Sequence, residues 1–586
     1  MKTYHIFIIL IVGMLTFTSC NDTLTLQNDG HMTMTGVFTE RNSTMGYLNA
    51  CYNYREGMPL DISSLTDESE DARSLRAGSS YQYWYNIGLT VDNFGSYSYD
   101  GQPWTNFFEG IRKCNIFIAN LPSSTAFATT EEKEGWLAQA YTLRAYYYLQ
   151  LFKRYGQVPL LTKDVGTNPD YSKMTKAKVG DIVKQIVLDC DSALSAPDTE
   201  DGFSWNIYDN QQGIMTRAVA YAIKSEAVLY AASPLFNDGT YTWSDALKVT
   251  KEALYQCLTN GYSLWHIVSP EAQNAYASYF LATPYDKRAT DKETIYAIDG
   301  QQSVWYWFGL PTNDGVAQVG ICPSQELVDS YEMANGQVPI KGYKDAEHLQ
   351  PVINTASGYD EKNPYSNRDP RFYASIYYNG AIRYLDEPYG TKVQTYVGGN
   401  EGISQTDYTH TITGYYLRKF NNYKSSKYAN SDGYNRIFRL AELYMNFAEA
   451  AYEAGSPDEK VNIGGNLNLS ARDAVDSIRE RAGMPDLPTG LSKTDFETRY
   501  RNERRIEFAF EGQRYFDVRR WKILDSFKVI TGMNITVNGS QMTYTRFNFN
   551  DRVTTGDQYL LYPIDRTEVN KILQLTGTNW QNAGWK

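Results

Sequence analysis

Arg499 to Trp521 reads R-Y-R-N-E-R-R-I-E-F-A-F-E-G-Q-R-Y-F-D-V-R-R-W. No other window of the chain puts so many charges beside so many rings. Glu503 and Glu507 stand at i,i+4, and so do Ile506 and Phe510. On a helix that spacing stacks like with like, so a charged stripe runs beside an apolar one. Gly512 is then expected just past the last turn, where glycine is the usual residue. Arg504, Arg505, Arg514 and Arg519 lie close in sequence to Glu503, Glu507, Glu511 and Asp517. Such a cluster is either an active site or a salt-bridged closure. Its acid-to-arginine balance favours closure, because neighbouring arginines keep carboxylates ionised and unsuited to donate a proton.

The chain around it has 586 residues, with 42% hydrophobic and 21% charged, the balance of a globular protein. It carries 49 Tyr, 24 Phe and 11 Trp. Tyrosine and tryptophan join a flat apolar face to a polar tip, which suits contact surfaces as well as cores. The net charge of −12 argues against nucleic acid as a partner, since phosphate needs a basic face.

At the N-terminus Lys2 precedes an apolar run from Ile6 to Phe17, too short to span a bilayer as a helix. It ends Phe17-Thr18-Ser19-Cys20. This reads as a lipoprotein signal over residues 1–19, with Cys20 as the lipidated first residue of the mature chain. The other cysteines are Cys51, Cys114, Cys190, Cys257 and Cys322. An odd, scattered set without C-x-x-C fits neither a disulfide framework nor a zinc site, and no cofactor is expected. The one candidate for an ion is the run Asp67, Glu68, Glu70, Asp71, whose oxygens would suit Ca2+; a solvated acidic face is the plainer expectation.

Apolar spacing predicts helices over 43–57, 104–120, 136–155, 179–194, 217–232 and 245–258. Between the first two, residues 61–103 lack helical period and carry many rings among glycines. They read as a long ordered loop. Residues 260–435 are rich in Gly, Asn, Pro and Tyr, with strand-like runs at 294–298 and 373–377. Helices are expected again over 436–454 and 467–482, before the opening stretch. The fold class is therefore mainly α: a scaffold of tetratricopeptide-like helical hairpins from about 36–258 and 436–525, carrying an irregular, loop-rich lobe with short strands at about 260–435. Residues 20–586 are expected to form one domain.

Several stretches together resemble the SusD/RagB family of Bacteroidetes outer-membrane nutrient-binding lipoproteins, nearly end to end. They are W-L-A-Q-A-Y-T-L-R-A-Y-Y-Y-L-Q-L-F-K-R-Y-G-Q-V-P-L (136–160), A-V-L-Y-A-A-S-P-L-F-N (227–237), P-S-Q-E-L-V-D-S-Y-E-M-A-N-G (323–336), N-R-D-P-R-F-Y-A-S-I (367–376), T-G-Y-Y-L-R-K-F (413–420), F-R-L-A-E-L-Y-M-N-F-A-E-A (438–450) and the E-R-R-I-E-F-A-F-E-G-Q-R-Y-F-D-V-R-R-W part of the opening stretch. The resemblance implies a surface-exposed, lipid-anchored protein of the outer membrane that is not an enzyme. It would capture an oligosaccharide, or alternatively a peptide as RagB-like proteins do. It would then deliver that ligand to a SusC-like TonB-dependent transporter.

A pyranose offers an apolar face of C–H groups to an aromatic ring, while nearby polar side chains bind its hydroxyls. The aromatic runs that fit are Tyr81, Tyr83, Trp84 and Tyr85 in the long loop and Trp305 and Trp307 in the lobe. Trp104 and Trp136 fall on helical stripes and read as core. A glycoside hydrolase would need two carboxylates flanking the scissile bond. Glu507 and Glu511, one turn apart among arginines, do not supply that pair. A pure assembly scaffold is the third class, since helical-repeat surfaces often bind proteins alone.

Overall fold

The computed structural model describes residues 33–55, 60–97, 99–166, 169–205, 213–270, 272–282, 290–298, 310, 319–382, 392–421 and 435–586. The principal helices are α1 (Arg41–Cys51), α2 (Pro103–Asn120), α3 (Thr130–Tyr155), α4 (Val179–Leu194), α5 (Arg217–Ala232), α6 (Trp243–Thr259), α7 (Leu440–Ala454), α8 (Ala471–Ala482), α9 (Lys493–Glu507), α10 (Gln513–Arg520) and α11 (Arg566–Thr576). Each from α2 to α8 packs on the next. The sixth and seventh come from opposite sides of the lobe, so contact between α6 and α7 joins the two parts of the scaffold.

Local chemistry sets the helix limits. In α3 the Thr129 side chain accepts from the Glu132 amide, acids occupy the first turn, and Lys153 and Arg154 fill the last. Both charge placements complement the helix dipole. Gly156, at φ +69°, ends it. Every residue of α5 after Arg217 is buried, and six of these fifteen are alanines that let flanking helices approach.

Two expected helix starts and one expected strand move. Residues 436–439 belong to a strand, Asn435–Arg439, which pairs antiparallel with Thr294–Ile298. Leu467–Leu469 is likewise a strand, against Val461–Gly464, and α8 starts only after the capping box at Ser470 and Asp473. Residues 370–375 are helical, leaving Ile376 and Tyr377 to pair with Leu417 and Tyr416. In each case a short apolar run satisfied either period, and a partner strand decided it.

The lobe is built on small two-stranded ladders. Among them β1 (Ser69–Asp71) pairs with β2 (Ile321–Pro323), tying the N-terminal loop to the lobe. Near the C-terminus, β3 (Val529–Asn538) and β4 (Gln541–Asp551) form a long hairpin around a two-residue turn with Gly539 at φ +62°. Met533 and Ile535 of β3 are buried against Ile321, Leu327, Tyr331 and Phe372 of the lobe. Arg546 of β4 grips Asp329 through bonds of 2.6 and 2.8 Å. No described helix is long and apolar enough to cross a membrane.

Candidate functional site

The charged stretch is buried, and its charges reach mostly outward. Within it, Asp517 accepts from Arg504 at 2.7 Å and from Arg520 at 2.8 Å. Glu503 instead accepts from Arg371 at 2.5 Å and Arg479 at 2.7 Å. Glu507 accepts from Arg439 at 2.6 Å and pairs with Arg371 and Arg481. Glu511 takes two bonds from Arg439 and one from Lys419. Arg519 donates to the carbonyls of Tyr515 and Tyr559. Asp517 apart, the acids of the stretch are thus linked to α8, to the lobe and to the strand that leads into α7.

The helix also ends earlier than its spacing predicts. α9 stops at Glu507, Phe510 sits at φ +64°, and Gly512, at φ +78°, opens α10. Side chains take over the carbonyls that a continuing helix would use. The Glu507 carbonyl accepts from Tyr276 and Arg439, each at 3.0 Å, and the Ala509 carbonyl from Lys419 at 2.9 Å. Glu507 and Glu511 therefore do not share a helix face. Burial alone would raise the carboxyls of Glu503, Glu507 and Glu511, but the surrounding cations outweigh it and hold all three below the usual range. None is poised as a general acid.

The run Asp67–Asp71 is buried rather than solvated, and all its acids but Glu68 pair with arginines. Asp67 pairs with Arg505 and Arg514; burial opposes ionisation there, but the two arginines outweigh it and lower the carboxyl to about 2. Glu70 accepts from Arg552 and Asp71 from Arg73. The Glu68 carboxyl has no hydrogen-bond partner, and burial, reinforced by Asp67, raises it to about 8. Among the described residues no cluster of three or more His, Cys, Asp or Glu side chains could hold a metal ion.

The aromatic loop splits into an inner and an outer set. Tyr81, Trp84 and Tyr85 are 2%, 3% and 1% exposed. The Trp84 indole donates to the Tyr97 carbonyl at 3.0 Å and meets Tyr515 of α10 edge-on. The Tyr85 hydroxyl donates to the Ser64 carbonyl, and the Tyr81 hydroxyl to Asp61. These three rings hold the loop on the scaffold and have no face to offer a sugar, contrary to the sequence expectation. Residues Tyr83–Ile87 form a π-helical turn, closed by the Gly88 amide on the Tyr83 carbonyl at 2.9 Å. Such turns are rare and frequent at functional sites. The turn leaves Tyr83 half-buried, stacked on Tyr97 with centroids 3.7 Å apart, and Ile87 60% exposed. Half-buried Tyr99 stacks on Tyr81 at 4.5 Å.

Next along the chain toward the lobe, the Arg76 guanidinium lies 5.2 Å from the Tyr408 ring. Leu75 and Tyr408 both pack on a cluster containing Ala72, Val319 and buried Leu310. Trp305 and Trp307, like Cys20, lie outside the described residues. The outer rings Tyr97, Tyr99 and Tyr408 were not singled out in the sequence; neither helical nor strand period describes a π-turn, so spacing does not sort its inner from its outer positions. Trp104 is buried, and Trp136 is covered by Arg41 and Phe127, so both serve packing. A groove of about 350 Å³ between α2, α11 and the 159–174 segment is walled by Trp104, Phe108, Ile111, Met174 and Leu575. Glu109, Arg112, Lys163 and Lys571 also line it.

The SusD family matches residues 281–585, more than half of the chain. This chain belongs to the SusD family. A second family, described as starch-binding and associating with the outer membrane, matches residues 32–225, which include the aromatic loop. The SusD-like protein P2 of Formosa agariphila is 24% identical over 406 residues, covering 66% of this chain and 65% of that protein's length. A SusD-like protein of Bacteroides fragilis superposes with a TM-score of 0.73 at 24% identity, over 94% of this chain and 98% of its own. A SusD-like carbohydrate-binding protein from the same species gives 0.67 at 22% identity, over 92% and 99%. A laminarin-binding SusD-like protein gives 0.53 at 18% identity, over 94% and 100%. At these identities the SusD-like structures establish the fold, mainly α with helical hairpins.

Proposed function

We propose that this SusD-family protein captures an oligosaccharide at the cell surface by ring stacking and delivers it to a SusC-like TonB-dependent transporter, without chemical turnover. The observation that carries this reading is the match of the starch-binding, outer-membrane-associating family to the segment holding the aromatic loop. The half-buried rings of that loop, Tyr83, Tyr97 and Tyr99, supply the surface. Because Tyr83 and Tyr97 cover one another's inner faces, the pair has outer faces only to give. Each stacked ring is worth about 1 kcal/mol by analogy with aromatic pairs. Micromolar binding needs about 8 kcal/mol, so hydrogen bonds to sugar hydroxyls and further rings must add to the pair. Lipidation of Cys20 would keep the protein at the membrane, since several acyl chains anchor stably where one is marginal.

Isothermal titration with a panel of oligosaccharides, followed by product analysis of any that bind, tests the reading. Binding without cleavage supports it. Cleavage of a bound glycan, or binding of peptides with no glycan bound, overturns it.

A further inference from the structure

We propose that Cys51 and Cys114, free thiols in this structure, form a disulfide when the chain folds under oxidising conditions, fastening α1 to α2. The two helices are packed neighbours, and residue pairs along them set their antiparallel register. Tyr47 of α1 stacks on Phe117 of α2 with centroids 6.3 Å apart. About two turns further along, Tyr54, just past α1, lies beside Glu109, whose charge raises its hydroxyl after burial does. Between these two contacts the same register sets Cys51 opposite Cys114, near enough that, after burial, the Cys51 thiol raises the resistance of Cys114 to ionisation. Both are completely buried. The Tyr147 hydroxyl donates to the Cys51 carbonyl at 2.5 Å, holding the last turn of α1 in place. Cys190, Cys257 and Cys322 lie on α4, α6 and β2.

The step balances as a thiol–disulfide exchange. The thiolate of one cysteine attacks the disulfide of a small oxidant such as oxidised glutathione. The second cysteine then displaces the mixed disulfide, forming one S–S bond and releasing two reduced thiols. The two cysteines together lose two protons and two electrons, which the oxidant takes up. Exchange needs a thiolate, and burial pushes the docked Cys114 thiol well up. The bond therefore closes before α1 is fully docked, and docking afterwards shields it from reductant. It joins α1, close to the described N-terminal end, to the scaffold. The inference is independent of the nutrient-binding reading.

The test uses the chain from residue 21 onward, which leaves out Cys20, unfolded in urea with reductant and refolded in a reduced/oxidised glutathione buffer. Free thiols are alkylated in denaturant before non-reducing digestion and mass spectrometry. The expected result is a protein lighter by two hydrogens before alkylation, a Cys51 peptide linked to the Cys114 peptide, and alkylated Cys190, Cys257 and Cys322. Oxidised protein should melt higher than the same protein held in reductant, because the cross-link constrains the unfolded chain. A Cys114→Ala variant, checked for folding by circular dichroism, should show no such difference. Alkylation of Cys51 and Cys114 after oxidative refolding, or linkage of either to a different cysteine, overturns the proposal.

Discussion

Arg514 holds Asp67 by two hydrogen bonds of 2.9 Å, across 447 residues of sequence. The pair joins the strip that leads into the aromatic loop to the most charged stretch of the chain. Arg505 reaches the same carboxylate at 3.0 Å. Arg514→Ala leaves a buried carboxylate with half its partners, a change that costs about 3–5 kcal/mol when a buried pair is broken. Urea unfolding should record that loss. Titration of the folded variant should give an unchanged affinity for any glycan that wild type binds. A tenfold weaker affinity at unchanged stability would place the stretch in the binding site instead.

Acid should unfold this protein through its paired carboxylates. Glu449 accepts from Arg520 at 2.6 and 2.7 Å; burial opposes ionisation, but Arg520 outweighs it and lowers the carboxyl from 4.5 to about 2. A lowered folded value means stability that is present above 4.5 and lost as pH falls toward 2. The contribution is on the order of 3 kcal/mol from Glu449 alone. Unfolding of Glu449→Gln, followed from pH 7 to pH 2, should show a deficit against wild type at neutral pH that closes in acid. A deficit constant over that range would assign the loss to packing.

Glu68 predicts the opposite sign. Its folded value, about 8, lies above its ordinary 4.5, so the proton it takes up stabilises the fold below 4.5, and that benefit is lost as pH rises to 8. Glu68→Gln keeps the shape without the charge. The variant should match wild type near pH 4, gain on it between 4.5 and 8, and hold a constant advantage above 8. Denaturant midpoints across that range check this. A Gln variant less stable than wild type at pH 8 would show that the carboxylate is ionised and favourably placed.

The helical scaffold was readable because its period repeats over many turns: α2, α4 and α5 fall within a residue of their expected limits. Short strands were readable in part: Thr294–Ile298 stands where expected, but Leu467–Leu469 and Asn435–Arg439 fit a helical stripe equally well until a partner strand is known. Pairing of Glu503 and Glu507 with neighbouring arginines was the natural expectation, yet both reach Arg371, whose position only the tertiary fold determines. The acidic run 67–71 read as solvated because nothing local announces Arg514 or Arg552. The aromatic loop was legible as ordered, but not in which rings face out. Trp84 went inward because the π-turn places its indole on the Tyr97 carbonyl and against α10.

That division gives the most direct test of where the protein binds its ligand. Trp84→Ala empties a core site and should cost about 3–5 kcal/mol of stability. Tyr83→Ala and Tyr97→Ala remove half-buried rings and should leave the melting temperature nearly unchanged. Isothermal titration of a bound oligosaccharide into wild type, Tyr83→Ala and Tyr97→Ala is the decisive measurement. The account predicts affinity lowered about tenfold in each tyrosine variant, the equivalent of about 1.4 kcal/mol. Wild-type affinity in both folded variants would contradict it.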